Sequence, residues 1–371
     1  MECATNLSRV LFALSRIFVA LFDIQDISMT TTKHWTLKSI ANELGVSNAT
    51  VSNAFNRPDQ LSEKRRNEIL AACTKLGYFG PNKAAQSLRK GKFDTVALVL
   101  SDSVEYMVSD PVASKFMKGV ASVLEQEKLN LLLFSGSSDS VNAVADFVDG
   151  FICYGRPRNA LLAEQLKRVK KKVVTVDFDI HRNASVSIDN KLAAYEVAKL
   201  ALHSPADNVA ILGLRLLDTH LTCRVYDLNL LEIDMSIAHQ RLQGYLQAIE
   251  EAGVVLGQDR IWNIPESNAD YAAIAAKEAL NSTPRPNVFL CMSDLIALSV
   301  LGEAQAMGLK VPEDVRVVGF DGIDEGTRSN PPLTTVYQYS EQKGRTAAQM
   351  FVAGAVHAEV LGYELRLGKS C

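Results

Sequence analysis

From Thr95 onward the chain alternates short aliphatic runs with amphipathic helical stretches, and that alternation restricts its fold more than any other feature. Thr95-Val96-Ala97-Leu98-Val99-Leu100 is a continuous β-branched and aliphatic run, the mark of a strand covered on both faces. A helix is predicted over 112–126, then strand 129–134, a short helix 141–147, strand 150–154, helix 159–169 and strand 173–176. After Val186-Ser187-Ile188-Asp189-Asn190 the pattern restarts. It runs through helix 192–202, strand 208–212, helix 240–252, strand 261–264, helix 271–280, strand 288–291, helix 295–307 and strand 315–319. Repeated βαβ units imply a parallel sheet with helices on both faces. Two doubly wound lobes are therefore predicted, with the ligand site in the crevice beyond the carboxyl ends of their strands.

The residues ahead of that body read as helices only. Leu37, Ile40, Ala41 and Leu44 recur at i, i+3, i+4 and i+7, the apolar stripe of a short helix, with Thr36 before it as N-cap. Gly45 stops that helix and suits the tight turn of a helix-turn-helix, after which Ser47 caps a second helix over 48–55. Val51 and Phe55 point inward on it, leaving Asn48, Ala49, Ser52 and Asn53 outward. Those small or amide side chains suit a major groove and its base edges. Ser62 caps a third helix over 63–76, with Ile69, Cys73 and Leu76 on one face, Lys64, Arg65 and Arg66 in its first turn, and Gly77 at its end.

A solvated helix hairpin has the same local pattern, and charge separates the two readings. Residues 33–92 hold eleven Lys/Arg and four Asp/Glu, net +7, and with the whole chain at −3 the remainder carries −10. That asymmetry is the electrostatic footprint of nucleic-acid binding.

The run TLKSIANELGVSNATVSNAFN, followed by LSEKRRNEILAACTKLGY and PNKAAQSL, resembles the DNA-binding headpiece and hinge of the lactose/galactose repressor (LacI/GalR) family of bacterial transcription regulators. It departs from the family at Asn53, where an arginine usually follows Thr-Val-Ser. Farther on, VPEDVRVVGFDG and PPLTTVYQ resemble the family's effector-binding core, which is related in fold to periplasmic sugar-binding proteins. Two stretches near the crevice differ in length from the family. About twenty extra residues lie between Gly213 and Arg241, and fewer than usual lie between Ser135 and Asp149.

The resemblance implies an N-terminal all-α helix-turn-helix headpiece followed by an α/β body of two doubly wound parallel-sheet lobes. The boundaries expected are an extension at 1–32, a headpiece at 33–80, a hinge helix and linker at 81–92, and a body at 93–371. One lobe then takes about 93–189 with 339–358, and the other about 190–337 with 359–371. DNA contacts are expected from Thr36, Ser47, Asn48, Ala49, Thr50, Ser52, Asn53, Asn56, Tyr78, Asn82, Lys83, Ala85 and Leu88. The second helix reads bases while Lys and Arg on the third helix and the hinge hold phosphates. A hinge helix of about seven residues is unstable alone in water. It is expected to form when two hinges pack on DNA, where Leu88 wedges into a minor-groove step.

In the crevice, Asp177 ends a buried strand, where a carboxylate accepts hydroxyl hydrogen bonds or caps a turn. Ser101 and Asp102 end the first strand. Arg241, in Arg-Leu-Gln-Gly-Tyr, and Asp321 match the family's crevice arginine and aspartate; an exposed loop acid is the plainer reading of Asp321. A guanidinium brings five donors, which suit hydroxyl pairs, phosphate or carboxylate. Tyr271 falls where the family often stacks an aromatic on a sugar, although an aromatic on a helix is commonly core. Ser293 stands where asparagine is frequent, which points away from a plain galactoside-like sugar.

Together these readings predict a transcriptional regulator, a repressor, whose operator affinity is set by a sugar or nucleoside-like effector. The alternative is a sugar-binding protein or enzyme of the same fold with no DNA role. Against an enzyme, His34, His181, His203, His220, His239 and His357 form no ligand spacing, and no G-x-S-x-G, Walker A or dinucleotide motif occurs. No catalytic residue, cofactor or metal is expected. Cys3, Cys73, Cys153, Cys223, Cys291 and Cys371 are scattered without a C-x-x-C pair, consistent with a reducing cytoplasm and a protein associated with the nucleoid. LSRVLFALSRIFVALF in residues 1–28 reads as a signal peptide without a cleavage site, a span too short and interrupted by Arg9 and Arg16, an amphipathic extension, or the result of a start that belongs at Met29. The last is preferred, and no membrane partner is expected. With no heptad helix after Leu365-Arg366-Leu367, a homodimer is expected over a tetramer.

Overall fold

The computed structural model describes residues 35–81, 91–180, 184–227 and 236–371. The extension, the hinge contacts expected at Asn82, Lys83, Ala85 and Leu88, and part of the long segment before Arg241 lie outside the described residues. The chain divides into two compact units between Gly91 and Lys92.

In the first unit, α1 (Leu37–Glu43), α2 (Asn48–Asn56) and α3 (Glu63–Lys75) enclose a core of Ile40, Ala41, Val51, Ala54, Ile69, Cys73 and Tyr78. Each helix begins on the cap that the sequence marks. The hydroxyls of Thr36, Ser47 and Ser62 accept from the amides of Ser39, Thr50 and Arg65, and such a cap contributes about 1 kcal/mol. Gly45 and Gly77 close α1 and α3 at φ +63° and +72°, a region costly for side chains with a Cβ.

The second unit holds two sheets. The first comprises β1 (Thr95–Val99), β2 (Asn130–Phe134), β3 (Gly150–Tyr154), β4 (Lys172–Val176), β5 (Ala184–Ile188) and β12 (Ala358–Leu361). They run in the order β12-β5-β4-β3-β1-β2 with all neighbours parallel. The second comprises β6 (Val209–Leu214), β7 (Cys223–Arg224), β8 (Ile261–Ile264), β9 (Val288–Cys291), β10 (Arg316–Asp321), β11 (Thr334–Tyr337) and β13 (Glu364–Arg366). Its order is β13-β11-β10-β9-β6-β8-β7, and both edge strands are antiparallel to their neighbours. The second lobe is therefore parallel within and mixed at its rims.

Strand alternation fills both faces of each sheet. Val96, Leu98 and Leu100 enter one cluster with α5 (Pro111–Gln126) and α13 (Ser340–Ala353), while Ala97 and Val99 enter another with α6 (Asn142–Ala145) and α7 (Ala160–Arg168). In the second sheet Val209 and Ile211 face α8 (Asn190–Ala201) and α9 (Ile237–Glu251), whereas Ala210 and Leu212 face α10 (Ala269–Leu280) and α11 (Asp294–Ala306).

The chain passes between the sheets three times, after β5, after β11 and after β12. The boundary expected at 358/359 falls inside β12, which pairs in parallel with β5, so the last passage comes after Leu361. Short α4 (Val104–Ser109) and α12 (Asp324–Arg328), strand β7, and everything from β11 onward extend the predicted pattern. Their apolar runs are too short or too interrupted to show a period.

Candidate functional site

On the headpiece, α2 turns Val51 and Ala54 into the core and leaves Ser47, Asn48, Ala49 and Asn56 exposed. Ser52 and Asn53, expected to point out, are half-buried, and the Asn56 amide donates to the Ser52 carbonyl at 3.1 Å. Thr36 and Ser39 cap each other reciprocally, while the Ser47 and Thr50 hydroxyls lie 2.8 Å apart in the cap of α2. The amides of the first turn of α2 are thus held at one end of an exposed polar face, a geometry suited to phosphate and base edges together.

Two expectations need correction here. Arg66 does not stand free for phosphate: its Nε donates to the Ala54 carbonyl at 3.0 Å and ties α3 to α2. Exposed Lys64 and Arg65 remain in that first turn. Tyr78, expected to touch DNA, is 5% exposed with its ring edge-on to Phe55 at 5.7 Å, and its hydroxyl has no partner among the described residues. Packing of an aromatic against the α2–α3 junction outweighed the polar tip.

In the body, five strands deliver their C-terminal ends to one buried chain of polar side chains. Asp177 follows β4, and both its carboxylate oxygens accept from the Lys343 ammonium at 2.9 and 2.8 Å. That ammonium also donates to the Gln338 carbonyl oxygen at 2.7 Å, and the Gln338 amide donates to Asp321 Oδ1 at 2.7 Å. Arg241 stands 3.5 Å from Asp321, and it donates through Nε to Asn190 at 3.1 Å and through Nη1 to the Met292 carbonyl at 2.6 Å. Its guanidinium lies over the Phe320 ring, 3.6 Å from the centroid.

The chain of contacts begins on the first lobe at Asp177, passes through Gln338 and Asn190 on two interlobe passages, and ends on the second lobe. Burial shifts two of its groups toward neutrality. The Asp321 carboxyl is pushed well above its ordinary value by burial, against the pull of Arg241. Burial likewise lowers the Lys343 ammonium, against the attraction of Asp177. Asp294, fully buried beneath, rises to about 6 through burial even though Thr335 and the Ile323 amide donate to it.

Two members of the chain, Asp177 and Asp321, adopt positive φ without being glycine, at +60° and +125°. Such residues cost roughly 1–3 kcal/mol each and concentrate where function requires an imposed geometry.

Four expected contacts stand apart from the chain. Asp102 accepts instead from Arg158 at 3.1 Å and Arg215 at 2.7 Å. Although burial opposes it, the Ser103 amide and the two guanidiniums hold its carboxyl below the ordinary value. Ser101 is half-buried, with its hydroxyl 3.4 Å from the Met107 sulfur. Tyr271 sits in the first turn of α10 and packs against the cluster under that helix. Ser293 caps α11 and shares a 2.7 Å contact with the Ser267 hydroxyl.

Lys343, Gln338, Asn190, Asp294, Arg158 and Arg215 were not singled out by sequence. Lys343 gave one signal, a cation inside the otherwise small and apolar stripe Gly344, Ala347, Ala348, Phe351. Two carboxylates and a guanidinium at strand ends form the donor and acceptor set that recognises vicinal hydroxyls. Among the described residues no group of three or more His, Cys, Asp or Glu is placed to hold a metal, and no helix is long and apolar enough to cross a membrane.

Comparison with known proteins agrees with both units. Residues 36–82 match the bacterial regulatory proteins, lacI family, and residues 232–370 match the periplasmic binding protein-like domain. The HTH-type transcriptional regulator Rv3575c of Mycobacterium tuberculosis is 35% identical over 92% of this chain and 98% of its own length. A structure of the transcriptional regulator CelR-cellobiose complex is 25% identical, covering 91% of this chain and all of that one, with TM-score 0.64. The lac repressor dimer bound to operator and the anti-inducer ONPF is 22% identical, covers 91% of this chain and 98% of that one, and shares the fold with TM-score 0.69.

Proposed function

This chain belongs to the lacI family of bacterial regulatory proteins, and from that membership we propose that it is a repressor whose hold on its operator is set by a small polyhydroxylated metabolite bound between its two lobes. The metabolite is a sugar or a nucleoside-like compound. The observation that carries this reading is the buried chain from Asp177 through Lys343, Gln338 and Asp321 to Arg241 at the strand ends of both lobes. Carboxylates that accept and a guanidinium that donates match paired hydroxyls in both directions. The cellobiose held by the similar CelR supports a sugar as the ligand class.

On DNA, Asn48, Ala49, Ser52 and Asn53 read base edges from α2, with Thr36, Ser47, Thr50 and Asn56 beside them. Lys64, Arg65 and the basic run at 89–92 hold phosphates and fix register. The protein acts as a homodimer, with Asn82, Lys83, Ala85 and Leu88 of paired hinges in the minor groove. Effector changes the angle between lobes and hence the spacing of the hinges, a coupling of roughly 1–3 kcal/mol.

Gel-shift on the fragment upstream of its own gene, titrated with a panel of pentoses, hexoses, disaccharides and nucleosides, tests both halves. Specific retention that one compound shifts several-fold, with the shift lost in Arg241→Ala, is expected. Retention no stronger than on scrambled DNA would remove the operator reading, and retention insensitive to every compound would remove the effector reading.

A further inference from the structure

We propose that residues 215–222 form a jaw carried by the second lobe, and that Arg215 is the positioning residue that holds this jaw shut on Asp102 of the first. The segment leaves β6 and is tied firmly to its own lobe. The Arg215 amide donates to the Ile264 carbonyl at 2.8 Å, the Leu217 amide to Asn263 at 2.9 Å, and the Asn263 amide group to the Leu221 carbonyl at 3.1 Å. Thr222 reaches the Tyr271 carbonyl at 3.4 Å, and Cys223 and Arg224 then pair antiparallel with β8. Arg224 completes the anchor with Glu278 at 2.6 Å and Asp259 at 2.8 Å, lying over the Trp262 ring. A segment fixed at so many points moves with the second sheet.

From this anchored segment two side chains reach the first lobe. Arg215 donates to Asp102 at the end of β1 at 2.7 Å, and the His220 ring lies 3.0 Å from the Arg158 guanidinium, which itself donates to Asp102. The other oxygen of Asp102 accepts from the Ser103 amide at 2.7 Å and the Ser137 hydroxyl at 3.3 Å. Both oxygens are thus engaged within the protein. Asp102 is a latch between lobes. Beside the latch, the Ser267 amide of the second lobe donates to the Tyr106 hydroxyl of the first at 2.9 Å.

The contacts of Arg215 with Asp102, of His220 with Arg158 and of Ser267 with Tyr106 exist only while the lobes are together, so each biases the two-state closure toward the shut form. The Arg215 side chain is 31% exposed and that of Asp102 7%, so dissolved salt screens the pair in part without abolishing it. The inference concerns closure of the lobes and stands whichever ligand the crevice takes.

The Ser267 amide makes closure directly readable. Hydrogen–deuterium exchange of the full chain, without added ligand, is compared for wild type, Arg215→Gln, Arg215→Lys and Asp102→Asn. Exchange at Ser267 is expected to quicken about tenfold in Arg215→Gln and Asp102→Asn, the factor that one charge-assisted hydrogen bond supports, and less in Arg215→Lys. Amides inside β8 are expected to keep their wild-type rates. Added sodium chloride is expected to quicken Ser267 more in wild type than in Arg215→Gln, where the Lys115–Asp324 ion pair remains between the lobes to be screened. Unaltered exchange at Ser267 in both Arg215→Gln and Asp102→Asn would overturn the proposal, as would equal acceleration across β8, which would report loosening within the second lobe instead.

Discussion

Lys343, 1% exposed, places its ammonium 2.8 and 2.9 Å from the two carboxylate oxygens of Asp177, an ion pair with almost no water around it. Removing one member of such a pair strands a charge in the interior. Lys343→Met should therefore destabilise the body by about 3–5 kcal/mol, whereas Lys343→Met combined with Asp177→Asn should regain most of that loss. Urea unfolding of the three proteins measures both values. A double variant as unstable as the single one would show that Lys343 stabilises through packing and not through charge.

Asp294 gives a pH signature of defined sign. Its carboxyl titrates near 6 in the folded protein against 3.8 for the unperturbed group, because burial disfavours the charge. Between those values the unfolded chain has released a proton that the folded protein retains, so this group makes stability fall as pH rises from about 4 to about 6. The slope is at most about 1.4 kcal/mol per pH unit, and Asp294 contributes none below or above that window. Asp294→Asn cannot titrate, so its stability curve should diverge from wild type across the window. Parallel curves from urea midpoints between pH 3.5 and 7 would contradict the assignment.

Gly119 on α5 and Gly344 on α13 let two helix backbones meet. A Cβ on Gly119 would overlap the Glu341 carbonyl oxygen, and one on Gly344 would overlap that of Phe116. Either glycine replaced by alanine should cost about 1–3 kcal/mol as the helices are forced apart. Because one separation relieves both overlaps, the double variant should lose less than the sum of the singles. Thermal unfolding decides between that outcome and simple additivity.

The two modes of DNA contact should separate by mutation. Asn48→Ala or Asn53→Ala should lower discrimination at individual base pairs by about 1–3 kcal/mol and leave the salt dependence of nonspecific binding unchanged. Leu88→Ala removes no charge and should reduce specific affinity and DNA bending together while nonspecific binding persists. Affinity and bend angle on operator and scrambled DNA give the comparison. Equal losses on both DNAs for Leu88→Ala would withdraw the wedge.

The sequence by itself determined the family and the order of the longer elements as far as β10. Capping hydroxyls at Thr36, Ser47 and Ser62, glycines at 45 and 77, and uninterrupted aliphatic runs such as 95–100 are local signals, and local hydrogen bonding and periodicity obey them. Asp177, Arg241 and Asp321 were legible because they end strands or lie in motifs, and the structure brings the three into one polar chain. What joins them was not legible. Lys343 lies 166 residues from Asp177 in sequence, and only the return of α13 to the first sheet brings the two together. Asp102 looked like a ligand contact because it ends β1, yet Arg215, 113 residues away, occupies it from the other lobe. Tyr78 and Arg66 turned inward for the same reason. A side chain's partner depends on which elements pack against it, and packing is a property of the folded chain and not of any window along it.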